Sequence, residues 1–134
     1  MKKIIAIFFL FMASTSFGQQ ADSTQIKNTI ADFFGVFSEF DVKYMERTVA
    51  PEFELYDVGL VWNIDSVRNY IAKGKSFEKR ENHFDFIKFN FRKNLAWVSY
   101  WNTAVFISES CKNRKVKWLE SAILEKRKGK WLLL

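Results

Sequence analysis

The sequence predicts an α+β domain in which N-terminal helices pack on a curved, bulged antiparallel sheet. Three observations carry that expectation. Apolar residues recur at helical spacing through the first half of the chain. They recur at strand spacing through the second half, and runs of helices followed by runs of strands argue for α+β. A Phe-rich strand also slips phase in a way that one β-bulge repairs, and bulges bend sheets.

The first eighteen residues, MKKIIAIFFLFMASTSFG, stand outside the expected domain. Lys2 and Lys3 make a basic start, and Ile4 to Ala13 make an apolar run of about ten residues, the length of a signal-peptide core. Ser16 and Gly18 place small residues at the −3 and −1 positions, as a cleavage site requires. The run is too short for a transmembrane anchor, which needs roughly twenty residues. The expected product is an exported protein, periplasmic or secreted, with residues 1–18 as leader and residues 19–134 as one domain.

The first expected helix covers 24–40, where Ile26, Ile30, Phe33 or Phe34, Phe37 and Phe40 share a face, and Ser23 or Thr24 can cap its start. Asp41 is placed to cap a second short helix, VKYMERTVA, which Pro51 ends. FELYDVGLVWN, residues 53–63, reads as two short strands with Asp57 beside Gly59 at the turn. A third helix follows over SVRNYIAK, with Asp65 as expected N-cap and Gly74 in the left-handed position past its end.

The period then changes. In NHFDFIKFNFR, residues 82–92, Phe84 and Phe86 share one parity, and Phe89 and Phe91 share the other. One extra residue near Ile87-Lys88 returns all four to one face. Residues 95–108 form a long strand with Trp97, Ser99, Trp101, Thr103 and Val105 on one side, and 115–126 form another with Val116, Trp118, Glu120, Ala122 and Leu124 in phase. RKGK turns the chain into WLLL. A bulged sheet wrapped around a helix makes a cone with an apolar interior.

Composition narrows the function. The chain has 134 residues and a formal charge of +6; the leader holds two Lys and no acid, so the remainder carries +4, a mild excess well short of a nucleic-acid footprint. There are 15 Phe, 5 Trp and 4 Tyr, of which only four Phe lie in the leader, more aromatic mass than a small core needs to close. That surplus points to a lined cavity for a small apolar or aromatic molecule. Cys111 is the single cysteine and excludes an internal disulfide. With His83 the single histidine, no zinc-type ligand spacing exists, and neither a metal nor another cofactor is expected.

The Phe-rich helix, then FDVKYMERTVAPEFELYDVG, then IDSVRNYI, then long strands ending AILEKRKGKWLL, together resemble the NTF2-like superfamily, in particular its SnoaL-like and ketosteroid-isomerase-like branches. The resemblance spans about Thr24 to Leu134 and implies the cone fold. It also implies a longer final strand than WLLL supplies, so the last strand is expected to be truncated or short. Ketosteroid isomerases keep a general-base Asp in Asp-Pro-Val-Gly after the second helix. YDVG holds the equivalent place, so the resemblance implies Asp57 as base. The family's oxyanion-holding Tyr falls at Phe33, which has no hydroxyl, and its protonated Asp falls at Glu120 or Ser121.

Two readings of Asp57 stay open: a partly desolvated proton acceptor, or a hairpin residue facing water. Glu120 is a second candidate carboxylate, since it shares the phase of Trp118. Phe33, Phe37, Trp62, Trp97, Trp101 and Trp118 are the expected ligand-binding residues; the same indoles could instead fill the cone or cover a homodimer face. His83 is expected at the rim. The expected function is small-molecule binding by a homodimer. The alternatives are an isomerase- or cyclase-type enzyme with Asp57 as base, and a protein-interaction module using the aromatic sheet face.

Overall fold

Two periodicities, 3.6 and 2, place nearly every buried side chain of this computed structural model, which describes residues 2–75, 77–109 and 112–134, with side chains from Gly18 onward. The first helix, α1 (Lys2–Glu39), buries Ile26, Ile30, Phe33, Phe34 and Val36 on one face. It is already helical before Thr24, so Ser23 and Thr24 do not cap it as expected. Their hydroxyls instead donate back to the Gln19 and Gln20 carbonyls, the bond that Ser and Thr make inside helices. Among the described residues no helix is long and apolar enough to cross a membrane.

Helix α2 (Lys43–Thr48) lies close against α1 because Gly35 has no side chain: a Cβ there would meet the Tyr44 ring at 2.5 Å. The N-cap of α2 is Val42, one residue after the expected Asp41, although Asp41 accepts from the Lys43 N–H at 2.9 Å and so supports the helix start. Strands β1 (Leu55–Asp57) and β2 (Leu60–Trp62) form the expected hairpin. Its two turn residues, Val58 and Gly59, both have positive φ, +49° and +74°.

Helix α3 (Ile64–Ala72) is capped by Asn63 and not by Asp65. Asn63 has an extended backbone, which frees its side chain to accept from the Ser66 N–H at 2.9 Å; Asp65 is already inside the first turn and pairs with Arg68. Gly74 takes the left-handed position past the helix end, as expected.

Four antiparallel strands complete the fold in the order β3 (Lys79–Arg92), β4 (Leu95–Ile107), β5 (Arg114–Arg127) and β6 (Lys130–Leu133). The register of β3 on β4 shifts between Phe86 and Lys88, leaving Ile87 as the extra residue, more than half exposed. The bulge does what the sequence required of it. Phe86 and Phe89 stack at 5.6 Å, so Phe84, Phe86, Phe89 and Phe91 form one ladder of rings.

The inner face of the sheet meets α1 through contacts such as Phe34 on Phe84 at 5.2 Å. On β4 this face carries Ala96, Val98, Tyr100, Asn102 and Ala104, all buried. Asp22 ties α1 to the last strands, accepting from the Trp131 indole at 2.9 Å and from the Lys126 ammonium at 2.6 Å. Strand β6 is short and pairs with Leu124–Arg127 of β5, and its Leu133 also bridges to Val49. The rest of the β5 edge has no strand beside it among the described residues.

Candidate functional site

Cross-strand pairing brings the site together. On the inner face, Tyr100 of β4 stands opposite Glu120 of β5, and Asn102 stands opposite Trp118. Arg80 and Asn82 occupy the same face of β3, two and one strides before Phe84 in the alternation. The result is one polar cluster, Arg80, Tyr100, Asn102 and Glu120, in a chamber walled by aromatic rings.

Arg80 is the hub. Its guanidinium lies 5.2 Å from the Phe106 ring, 5.5 Å from Phe37, 5.8 Å from Phe34 and 6.0 Å from Trp118. Each face-on ring contact attracts the cation through the ring quadrupole. The Arg80 Nε donates to Asn82 Oδ1 at 3.2 Å, and Asn82 donates to the Ser38 hydroxyl at 2.8 Å. Burial lowers the proton affinity of the guanidinium, while Tyr70, Glu120 and Asp57 oppose that effect.

Glu120 is the titratable partner. Burial pushes its carboxyl above the ordinary glutamate range. The Asn102 amide, the Tyr100 hydroxyl and the Arg80 charge favour the ionised form, and the Asp57 charge disfavours it; the net direction is upward. Asn102 reaches both carboxylate oxygens, at 3.4 and 3.5 Å, which are long for hydrogen bonds. Tyr100, buried beside Glu120, holds its phenol proton more firmly than usual, first because of burial.

Two buried polar atoms of this region have no hydrogen-bond partner, Asn102 Oδ1 and Trp62 Nε1. Ring contacts connect them to the cluster: Trp62 packs on Tyr70 at 5.5 Å, Tyr70 on Phe37 at 6.2 Å, and Phe37 on Arg80. Arg80, Trp118 and Glu120 are only partly buried, so the cluster opens to solvent along the uncovered edge of β5.

The expected site residues divide into three groups. Glu120, Trp118, Phe37 and Trp62 gather in or beside the chamber. Phe33 is a core residue, packed on Phe34, Phe37 and Phe53 at 5.2 to 5.7 Å and 4% exposed. Trp97 and Trp101 stand on the outer face of the sheet, because strand alternation opposes them to Val98 and Tyr100. Trp97 is 57% exposed there, and Lys117 covers Trp101 at 4.6 Å. The six aromatics therefore do not line one pocket.

Asp57 ends β1 opposite Leu60, next to the two-residue turn, with its side chain exposed. Its charge acts on Arg80 and Glu120 from an exposed position on the hairpin, not from the floor of the cone. His83 is exposed within β3, on the outer face opposite Thr103, whereas a rim position ahead of the strand was expected. Cys111 lies outside the described residues. Among the described residues no group of three or more His, Cys, Asp and Glu is arranged to hold a metal ion.

Two open concavities are lined by none of the four cluster residues. One of about 220 Å³ lies between β2 and α3, with Trp62 and Tyr70 in its wall. The other, about 700 Å³, lies where Phe89, Phe91 and Trp97 meet Gln19 of α1. Neither is lined by an Asp or Glu carboxylate.

Arg80, Asn102 and Tyr100 were not anticipated. Their signal was present: the parity of Phe84 and Phe86 runs back through Asn82 to Arg80. Asn102 likewise interrupts the apolar phase Ala96, Val98, Tyr100, Ala104, where an amide calls for a reason.

No protein-family model matches the chain, and no curated protein matches it. Solved structures do. A conserved protein from Planctomyces limnophilus superposes with a TM-score of 0.74 at 14% identity, over 85% of this chain and 91% of that one. A protein provisionally named scytalone dehydratase, from Novosphingobium aromaticivorans, gives 0.71 at 13% identity over 88% and 83%. The association domain of C. elegans CaMKII gives 0.64 at 17% identity over 89% and 93%. Helices packed on a curved antiparallel sheet, shared with these neighbours, give the chain the NTF2-like fold.

Proposed function

We propose that the chain is an exported binding domain that takes a small apolar or aromatic molecule at the mouth of its cone, and that it works as a homodimer joined through the outer sheet face. The observation that carries the binding reading is the pair of buried, unpartnered atoms, Asn102 Oδ1 and Trp62 Nε1, beside a half-open aromatic chamber. Leaving a buried polar atom unpaired costs about 1–3 kcal/mol. A fold that keeps an acceptor and a donor in this state gains when a ligand meets them.

Thermal-shift measurements with a panel of small apolar and aromatic compounds test the reading. Binding compounds should raise the melting temperature of the wild type and of Trp97→Ala, whose ring lies on the outer face. They should lose the effect in Trp118→Ala. A panel without a hit, or hits that Trp97→Ala removes and Trp118→Ala keeps, would refute it. Mass spectrometry of the exported product tests the leader, with Gln19 as the expected first residue.

A second reading, an enzyme that moves a proton next to a carbonyl, is favoured by the upward shift of Glu120. A general base is most effective when its pKa approaches the working pH. The neighbour provisionally named a dehydratase is consistent with such chemistry. In this reading Glu120 takes the role expected of Asp57. Proton exchange on an activated ketone should then be lost in Glu120→Gln and kept in Asp57→Asn.

A further inference from the structure

Resting on the binding reading above, we infer that the molecule bound at the cone carries a carboxylate, or a group of the same planar shape and charge, and that Arg80 holds it. The argument starts from what Arg80 leaves unspent. A guanidinium offers five N–H donors in a rigid fork. In this fold the Nε donor goes to Asn82, which is itself anchored on Ser38, so the group is gripped from its stem side. The rings of Phe106, Phe37 and Trp118 hold its plane. The outer edge of the fork, two Nη groups, meets no carboxylate within 4.0 Å among the described residues, although Glu120 and Asp57 both act on its charge.

A structural arginine inside a protein normally spends that edge on a partner carboxylate, because desolvating the cation is costly without one. Here the nearest candidates stop short. Asn102 engages Glu120, and Asp57 is exposed at the hairpin, where water screens it. What remains is a fixed, bidentate anion receptor at the partly open edge of an aromatic chamber. Guanidinium forks recognise carboxylates in preference to neutral amides because two parallel charge-assisted bonds form at once. The rings then select an apolar or aromatic body behind the carboxylate. The unpartnered Asn102 oxygen accepts a hydroxyl or N–H where the ligand has one.

The experiment is calorimetric titration of the purified full chain with matched probes: arylacetates carrying one or two rings and the corresponding neutral arylacetamides. Wild type should bind the acetates about tenfold or more tightly than the amides, the margin expected of a charge-assisted bidentate pair. Arg80→Gln should abolish the preference while amide binding stays. Arg80→Lys, which keeps the charge and loses the fork, should recover only part of it. Equal binding of acetate and amide by wild type would overturn the inference and leave the apolar-binding reading standing. A preference that survives in Arg80→Gln would overturn the assignment to Arg80. If neither series binds wild type, the binding reading fails, and this inference fails with it.

Discussion

Asn102, wholly buried on β4, donates its side-chain amide to both oxygens of Glu120 on β5, at 3.4 and 3.5 Å. The pair sets a carboxylate that is both desolvated and held, and its pH response has a definite sign. Burial raises the folded-state pKa of Glu120 above the unfolded value, so between those two values the folded chain binds more protons than the unfolded one. Stability therefore falls as pH rises through that window. Glu120→Gln removes the slope. Melting temperatures of the two proteins, measured from about pH 4 to pH 7, should converge at the acid end, with the variant gaining on wild type as pH rises. Parallel curves would show that Glu120 is no more buried in its effects than a surface acid.

Asp22 should respond in the opposite direction. Burial raises its pKa, but the hydrogen bonds from Lys126 and Trp131 and the Lys126 charge outweigh that, and the carboxyl titrates below the ordinary range. A depressed acid contributes stability that is present above its unfolded pKa and lost as pH falls through the folded one. Asp22→Asn should cost about 1 kcal/mol at neutral pH, since it weakens two charge-assisted bonds on a side chain that is only partly exposed. The cost should shrink as pH falls through the lowered folded-state pKa, where wild-type Asp22 is itself protonated. Chemical denaturation at pH 7 and at pH 2.5 measures both limits.

Val58 sits at φ +49° in the β1–β2 turn, a conformation that β-branched residues rarely adopt. Left-handed backbone costs a non-glycine residue about 1–2 kcal/mol, less for Asn, and Asn-Gly is a preferred pair for a two-residue hairpin turn. Val58 is 86% exposed, so replacing it removes no packing. Val58→Asn should raise stability by about 0.5–1 kcal/mol, as read by the denaturation midpoint. A loss of stability would mean that the turn is not of this type.

Gly35 fails in the other direction. Its missing Cβ is the space that the Tyr44 ring occupies, at 2.5 to 2.9 Å from where that atom would stand. The clashing atoms include the root of the ring and not only its tip, so the ring cannot swing clear alone. Gly35→Ala gains helix propensity, which is worth up to about 1 kcal/mol, yet overpacking costs about 1–3 kcal/mol. The expected net change is a lower melting temperature. Restoring space with Gly35→Ala/Tyr44→Ala should recover the helix gain on α1.

How far the sequence foretold this molecule depends on which level is asked. Parity along a strand is a local property, so the bulge near Ile87 and the shared phase of Trp118, Glu120 and Leu124 were legible. Which parity faces inward on β4 is decided by tertiary packing. The indoles of Trp97 and Trp101 suggested the wrong side, because large apolar residues outnumber the places the core offers them. Arg80 falls ahead of the strand expected over residues 82–92, since nothing local announces that β3 begins at Lys79. The α3 cap expected at Asp65 falls at Asn63, settled by backbone angles that composition does not encode. Asp57 drew attention through family resemblance, and that kind of likeness places a residue near a site without fixing where its side chain faces.

The misassigned indoles give the last prediction its physical basis. On the outer face Trp97 pairs across the strands with Ile123, and Trp101 pairs with Leu119, which joins four apolar side chains into one patch. Trp97, Leu119 and Ile123 are each more than half exposed, and Leu95 adds to the same side. An exposed apolar patch of this kind marks an association surface. A stable homodimer buries about 800 Å² per partner, an area a sheet face can supply. Leu119→Lys should therefore convert dimer to monomer in light scattering at micromolar concentration. It should also remove the rise of melting temperature with protein concentration that dimerisation produces. Arg80→Gln, altered on the inner face, should stay dimeric. If wild type is monomeric across that range, the patch serves another partner and the dimer proposal falls, while the inner-face chemistry stands untouched because the two faces share no side chain.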